Sequence, residues 1–156
     1  MADDLRDYFL KIDGIEGEAQ DKIHGKEVRL LDFSFSVSSR ADRSQHATGK
    51  MVVEDASFSA AIDQAYPLLM KALTENKIIA KVVLTCRKAG KKQEDFLVAT
   101  LRKVYVSDCR LEGTTTVPTM VFKMGFADVT FDYREQTDRG ILGGALSAML
   151  AVRNVV

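Results

Sequence analysis

Histidine and cysteine are the usual ligands of zinc sites and form many nucleophilic centres, and this chain of 156 residues has two of each. His24 and His46 stand in polar stretches far apart, and Cys86 and Cys109 lack CxxC spacing. Metal ligands and catalytic partners come in close sets at characteristic spacing. We therefore predict surface histidines, small buried cysteines, no metal and no cofactor. A disulfide would require neighbouring strands in the right register.

Motifs for phosphate binding or hydrolysis are also missing. Gly140, Gly143 and Gly144 form a glycine cluster, but no phosphate-binding lysine follows it, so a linker is favoured. The sequence has no GxSxG, no P-loop and no GxGxxG between a strand and a helix. Carboxylates are plentiful, yet their spacing identifies no acid/base pair. The sequence therefore predicts a protein without catalytic residues.

Charge and hydropathy restrict the partner classes. Lys and Arg total 22, as do Asp and Glu, which argues against a nucleic-acid binder and against a polybasic membrane anchor. There is no tryptophan and no aromatic stripe beside basic residues for base stacking. No apolar run reaches the roughly 18 residues of a spanning helix. The acidic N-terminus has no signal-peptide core, so we expect folding in the cytoplasm and, if exported, a route without a cleaved signal.

Period-two alternation of apolar and polar residues predicts a mainly β domain. In 27–38, Leu31, Phe33, Phe35 and Val37 alternate with polar residues, giving one apolar and one serine-lined face. A parity switch near 125–128 predicts a bulge that bends a strand. Residues 16–26 and 39–49 are polar and predict loops, and 87–95 predicts a hairpin turn. The predicted strands are 8–15, 27–38, 50–54, 78–87, 95–111 and 120–133.

One segment, 57–76, has helical periodicity. Ile62, Tyr66, Leu69 and Leu73 form one apolar stripe. Ser59 is the predicted N-cap. Because an interior proline is costly in a helix, we expect a short first turn over 59–65 and a main helix that begins at Pro67.

Taken together in order, ten blocks of sequence resemble the haemolysin-coregulated protein family, the tube component of the bacterial type VI secretion system. They cover roughly residues 7–135, and their order and spacing carry the resemblance. Phe33 and Phe35 stand where the family often has tryptophan, a conservative difference. The blocks are YFLKIDGIEGE at 8–18, Asp21 with Lys22 and His24, LDFSFSVS at 31–38, Gly49 with Lys50, EDASFS at 54–59, Ile62 with Asp63, Tyr66 with Pro67, LTCRKAG at 84–90, VYVS at 104–107 and FADVTFDY at 126–133.

The resemblance implies a compact β-barrel of two antiparallel sheets with one α-helix packed on its side, similar to phage tail-tube proteins. It implies hexameric rings around a wide channel, which stack into a tube. A contractile sheath drives that tube outward behind a trimeric spike protein, and small effector proteins travel inside the ring. Such a protein is a non-enzymatic structural subunit, made in the cytoplasm and secreted without a signal peptide.

Two sets of residues receive roles under this resemblance. The serine-lined face suits a water-filled channel, so Ser34 and Ser36 are predicted to face it. Loop 39–49 matches the extended loop that the family uses between rings. The predicted ring-stacking residues are Arg40, Asp42, Arg43, Gln45 and His46.

The chain is predicted to comprise a barrel domain, 1–137, and a C-terminal apolar segment, 138–156. That segment lacks the aromatic residue expected near the end of the family. We expect it to dock on the barrel as a closing strand or short helix, or to lie at a ring interface.

Two other classes of function compete with the tube subunit. A monomeric β-barrel that binds a small ligand is the first, because its pocket would leave no motif. A hydrolase without a recognisable motif is the second, and no residue can be nominated for it. The native mass distinguishes the ligand-binding barrel from the tube subunit, because the barrel would be a monomer and the tube subunit a hexamer.

Overall fold

The computed structural model of this chain describes residues 6–40, 50–88, 94–136 and 142–152. Antiparallel strands dominate it, as the alternation predicts, and the described part contains one helix. The elements are β1 (Arg6–Ile12), β2 (Val28–Leu30), β3 (Asp32–Ser34), β4 (Val37–Arg40), β5 (Lys50–Val53), β6 (Ala56–Ala61), α1 (Ala65–Thr74), β7 (Ile79–Lys88), β8 (Asp95–Glu112), β9 (Thr119–Gly125), β10 (Asp128–Gln136) and β11 (Leu142–Ala151).

The first sheet has the strand order β2-β1-β7-β8-β10-β11, and all its pairs are antiparallel. One row across its inner face consists of Leu10, Leu84, Ala99 and Phe131, which are cross-strand neighbours. The first three are fully buried. Alternation along each strand therefore places one face of this sheet against the core, as the sequence predicts.

The second sheet has the order β8-β9-β6-β3 and shares β8 with the first. β8 is 18 residues long. Its first half pairs with β7 and β10, whereas its second half, from Tyr105, pairs with β9. The inner face carries the row Phe33, Phe58, Phe122 and Cys109. One long strand thus belongs to both sheets and sets the angle between the two faces of the core.

The predicted two-sheet architecture is confirmed, but among the described residues no hydrogen-bonded ladder closes the barrel. β2 ends the first sheet and β3 ends the second, and only Leu31 separates them. The chain therefore connects the two sheet edges covalently, where a closed barrel would have a continuous ladder. This arrangement is a β-sandwich whose two sheets are connected twice, once through the shared strand β8 and once through Leu31.

The segment predicted as one strand, 27–38, is three short strands. The break falls at Leu31, which is 61% exposed although the alternation placed it on the apolar face. Val28 and Leu30 point into the core on one side of the break, and Phe33 does so on the other. The residues that face the core are therefore even-numbered before the break and odd-numbered after it. This change occurs because the segment passes from one sheet to the other at Leu31.

Phe35 follows the end of β3 and joins the two sheets through its ring. Its centroid lies 6.1 Å from that of Phe58 in the second sheet and 5.3 Å from that of Phe131 in the first. Phe126, between β9 and β10, lies 6.3 Å away. The contacts are edge-to-face, which is a favourable geometry for aromatic rings. The prediction that Phe35 is on the apolar, inward face is confirmed, although Phe35 lies between β3 and β4 and not within a strand.

The helix prediction is right for 65–74, although the helix begins at Ala65 and not at Pro67, and it is wrong for 57–61. Those residues belong to β6, which pairs with β3 on one side and β9 on the other, so Ser59 caps no helix. The N-terminal backbone N–H of Ala65 is instead accepted by the Asp63 carboxylate at 2.8 Å. Pro67 lies within the first turn, where its missing N–H costs no intrahelical bond. Among the described residues, no helix is long and apolar enough to cross a membrane.

Strands β9 and β10 follow one another along the same side of β8. The sequence predicted a single strand with a bulge near 125–128. The structure instead breaks the pairing at Phe126 and Ala127, where the Ala127 N–H donates to the carbonyl of Arg102 at 3.0 Å. The predicted hairpin of β7 and β8 is confirmed by their pairing, and its tip, 89–93, lies outside the described residues.

Candidate functional surface

The outward side of the second sheet is a surface of small and charged residues, which we call the polar face. Cross-strand pairing brings Ser34, Ser57, Lys123 and Asp108 into one row. Ser34 and Lys123 are exposed. The alternate residues of the same strands form the buried phenylalanine row. The polar face is therefore the side of this sheet that the core of the subunit does not cover.

The two serines predicted to line a channel lie at this surface. Ser34 is exposed at the end of β3, and Ser36 is half-buried just beyond it. The Ser36 carbonyl accepts the Glu54 N–H at 3.0 Å, which fixes the chain at this point. Both serines line one shallow depression. The structure thus brings the two serines together.

Residues that the sequence reasoning missed complete the depression. Ser57, Lys123, Glu54 and Asp55 line it together with the two serines. The signal for Lys123 was available, because it alternates with the apolar residues of β9. Ser57 was hidden by the helical interpretation of its segment. The surface carries both signs of charge.

The predicted ring-stacking residues lie mostly outside the described part of the chain. Arg40 is the last residue of β4, and the structure describes nothing from 41 to 49. Asp42, Arg43, Gln45 and His46 therefore remain predictions. β4 and β5, which flank the loop, pair with each other as a separate two-stranded ribbon.

A buried ion pair fastens the loop 13–27 to the first sheet. The Arg87 guanidinium donates two hydrogen bonds to the Asp21 carboxylate, at 2.8 and 2.9 Å, and a third to Asp7 at 3.2 Å. Asp21 also accepts the backbone N–H groups of Ile23 and His24 at 3.0 Å. The hydrogen bonds from Arg87, followed by that from the His24 N–H, hold the pKa of Asp21 well below its usual range. Such geometry specifies one loop conformation.

His24 is buried, at 8% exposure, which corrects the prediction that it lies on the surface. Its ring stacks on Phe9 with centroids 4.7 Å apart. Nδ1 lies 2.8 Å from the Glu27 carboxylate and Nε2 lies 3.3 Å from that of Asp95. Both ring nitrogens are thus engaged by neighbours that the loop and β8 supply. The position of the ring is set by Phe9, Glu27 and Asp95.

The cysteines lie in different surroundings, and both are free thiols. Cys86 on β7 is buried, and burial raises its pKa to about 12. Cys109, in the second half of β8, is partly buried, and desolvation raises its pKa as well. The apolar interpretation is confirmed for Cys86. For Cys109 it holds to the extent that this residue packs against the core.

Within 6–40, 50–88, 94–136 and 142–152, no three His, Cys, Asp or Glu side chains are placed to hold a metal ion. The polar clusters that are present pair their charges with each other. The chemistry that the described surface supports is recognition by hydrogen bonds and charge.

Comparison with known families decides what kind of protein carries this surface. Residues 9–133 match the family model described as "Type VI secretion system effector, Hcp". The chain belongs to the Hcp family. Hcp proteins are tube and effector components of the type VI secretion system, and they are structural, secreted proteins. The family resemblance and the fold class predicted from the sequence are therefore confirmed.

Individual Hcp proteins resemble this chain over nearly its whole length. Protein hcp1 of Pseudomonas aeruginosa is 34% identical over 144 residues, which cover 88% of this chain and 89% of the relative. The crystal structure of Hcp1 from Salmonella typhimurium superposes with a TM-score of 0.78 at 27% identity and covers 94% of both chains. A structure described as a type six secretion system protein gives a TM-score of 0.88, with 95% and 96% coverage. Because the sequence identity is 20%, the similarity to this last structure shows only that the fold is shared.

Proposed function

We propose that this Hcp protein is a non-enzymatic tube subunit that assembles into hexameric rings, and that the rings stack into a tube. The subunit is made in the cytoplasm and leaves the cell through the type VI apparatus without a cleaved signal. Its partners are further copies of itself, a trimeric spike protein, a contractile sheath and small effector proteins carried in the channel. Membership in the Hcp family supports each of these roles.

The observation that carries this proposal is the polar face. Antiparallel sheets of soluble proteins commonly present one polar face to water, and a water-filled channel needs a lining of the same kind. Ser34 and Ser36 face the channel in this assignment, together with Ser57 and Lys123. Small hydroxyls and charges of both signs suit weak contacts with diverse cargo proteins, because they offer hydrogen bonds to many kinds of surface.

Native mass spectrometry of the purified full chain tests the assembly. We expect a species of six subunits, and negative-stain images of that species should show rings with a central opening. A clean monomer at micromolar concentration would contradict the proposal and favour a monomeric ligand-binding domain.

Thiol labelling tests the channel assignment. We expect Ser34→Cys, in a background where Cys109 is serine, to react with a small maleimide in assembled rings at a rate close to that of a free thiol. Ala56→Cys provides the matched control, because Ala56 is fully buried in the core. Protection of S34C as complete as that of A56C would show that the polar face is covered in the ring.

The loop 39–49 is proposed as the contact between stacked rings, with Arg40, Asp42, Arg43, Gln45 and His46 as its contact residues. We expect a shortened loop to leave the hexamer mass unchanged and to reduce the fraction of stacked rings in electron micrographs. The β4–β5 ribbon supports this role, because it presents the loop apart from the two main sheets. Loss of the hexamer itself would assign the loop to the contact within a ring.

A further inference from the structure

The buried ring of His24 lies between two carboxylates from different parts of the chain. Nδ1 faces Glu27, at the end of the loop 13–27, at 2.8 Å, and Nε2 faces Asp95, the first residue of β8, at 3.3 Å. The Glu27 side chain is 10% exposed and the Asp95 side chain is 39% exposed. Stacking on Phe9 fixes the plane of the ring, so the two nitrogens keep these directions. Through this one side chain, the loop is connected to β8.

The charges around this ring come from the loop itself and from the strands on which it lies. Asp21, in the same loop, accepts the backbone N–H of His24 and pairs with Arg87 of β7. The Arg87 guanidinium also lies 4.8 Å from the centre of the Phe9 ring, on which His24 stacks. Further charged groups lie on β1 and β2, namely Asp7, which pairs with Arg87 and Arg29, and Arg6, whose guanidinium lies over the ring of Phe96. Arg87 and Arg29 are thus paired with carboxylates other than the two that face the His24 ring.

The protonation state of the imidazole decides how many of these contacts are made. Neutral imidazole has one N–H and one lone pair, whereas imidazolium donates from both nitrogens. A carboxylate only accepts hydrogen bonds, so it gains nothing from a lone pair opposite it. The shorter and more buried contact, to Glu27, keeps a proton on Nδ1 of His24 in either form. The hydrogen bond between Nε2 and Asp95 is therefore made only by the imidazolium.

The loop 13–27 has further attachments that do not depend on this proton. Arg87 holds Asp21, whose carboxylate stays ionised at neutral pH because the hydrogen bonds from Arg87 lower its pKa. Asp63, just before α1, accepts the Glu18 N–H at 2.8 Å. These contacts keep the loop on β7 and next to α1. Of the attachments of the loop, its link to β8 is the one that changes with the proton on His24.

We infer that His24 is a proton-dependent latch. As imidazolium it holds the loop 13–27 to the start of β8 through Asp95, and as neutral imidazole it releases Asp95 while Asp21 stays bound to Arg87. Because the contact needs both charges, its contribution to stability is present at pH values between the titrations of Asp95 and His24. This contribution is lost as pH rises through the titration of His24. The fold thus contains an element whose attachment depends on pH in the range in which histidine titrates.

NMR titration of His24 tests the contact directly. The full chain is labelled with ¹³C at histidine Cε1, and every variant carries His46→Gln, which removes the signal of the other histidine. Asp95→Asn should lower the midpoint of the His24 titration by about half a pH unit, as expected for a partly exposed ion pair. Asp128→Asn is the matched control, because Asp128 is also partly exposed and pairs with Arg102. A midpoint that is the same in D95N and D128N would overturn the inference.

The pH dependence of stability distinguishes a latch from a contact that is always made. In urea denaturation at one protein concentration, D95N should lower the unfolding midpoint at about pH 5.5 and leave it nearly unchanged at about pH 8.5. D128N should lower the midpoint equally at both pH values, since arginine stays charged. An equal loss from D95N at the two pH values would mean that Asp95 does not act through the proton on His24, which contradicts the latch.

Hydrogen exchange shows whether the proton also changes the attachment of the loop. After correction for the intrinsic effect of pH on exchange, protection of the segment 16–27 should fall about threefold between about pH 6 and about pH 8.5, and protection of β7 should stay constant. In D95N, protection of 16–27 should be low at both pH values. Constant protection of 16–27 in the wild type would mean that the ring loses its proton without releasing the loop, and the latch would then be refuted.

Discussion

Replacement of Arg87 by methionine is expected to lower the free energy of unfolding by about 3 kcal/mol. The side chain of Arg87 is nearly completely buried, and its removal leaves the carboxylate of Asp21 without its cation. Asp21 retains two backbone hydrogen bonds, which places the loss at the lower end of the range for a broken buried pair. Urea denaturation of the variant and the wild type at one protein concentration measures the difference, since assembly adds to apparent stability.

Arg102 provides the matched control for this prediction. It pairs with Asp128 at 3.0 Å, but the arginine side chain is 46% exposed, so R102M should cost no more than about 1 kcal/mol. The effect of R87M should also depend on pH. Because the pKa of Asp21 is lowered in the folded state, the stability that this carboxylate contributes is present above its ordinary pKa and is lost as pH falls through the lowered value. A penalty for R87M equal to that of R102M at pH 7 would contradict the structural role of the pair.

Replacement of Phe58 by alanine is expected to cost about 3–5 kcal/mol of unfolding free energy. Phe58 is fully buried on β6, and its ring lies 5.4 Å from that of Phe122 and 6.1 Å from that of Phe35. Because Phe35 also contacts the first sheet, the cavity left by F58A would loosen the junction between the two sheets. Thermal and urea unfolding measure the loss.

Phe96 is the control for the loss of a phenylalanine ring outside the centre of the core. It lies half-buried at the start of β8, under the Arg6 guanidinium at 5.6 Å, so F96A should cost only about 1 kcal/mol. Similar losses for F58A and F96A would mean that the phenylalanine row of the second sheet is not the centre of the core.

The strands that the sequence predicted well are those whose pattern needs no distant partner. β8 and β7 have long apolar alternation, and β5 is bounded by polar residues, so local sequence determines them. β6 was missed because its alanines favour a helix locally and because Ser59 was interpreted as an N-cap. Cross-strand neighbours on both sides, Phe33 and Phe122 beside Phe58 among them, override that preference. The break at Leu31 was missed for a related reason. The alternation of buried residues shifts there because β2 and β3 belong to different sheets, and the local sequence does not show which sheet a strand joins.

The candidate surface was predictable in part. Ser34 faces away from the core because it alternates with Phe33, which sequence alone shows. The row that joins Ser34 to Ser57 and Lys123 depends on the register of three strands, and no pattern within one segment reveals register. The burial of His24 was equally hidden. Its partners lie 3 and 71 residues away along the chain, and a polar loop gives no periodic signal for such contacts.

The state of the two thiols has a consequence for export. Thiolate is the form that attacks disulfides and reacts with oxidants, and burial keeps Cys86 protonated at physiological pH. Both cysteines are free, so the fold has no covalent cross-link that a reducing environment would break. A secreted subunit of this kind needs no oxidative folding step and no disulfide isomerase. Its fold is held by noncovalent contacts, so the same structure is compatible with reducing and with oxidising surroundings.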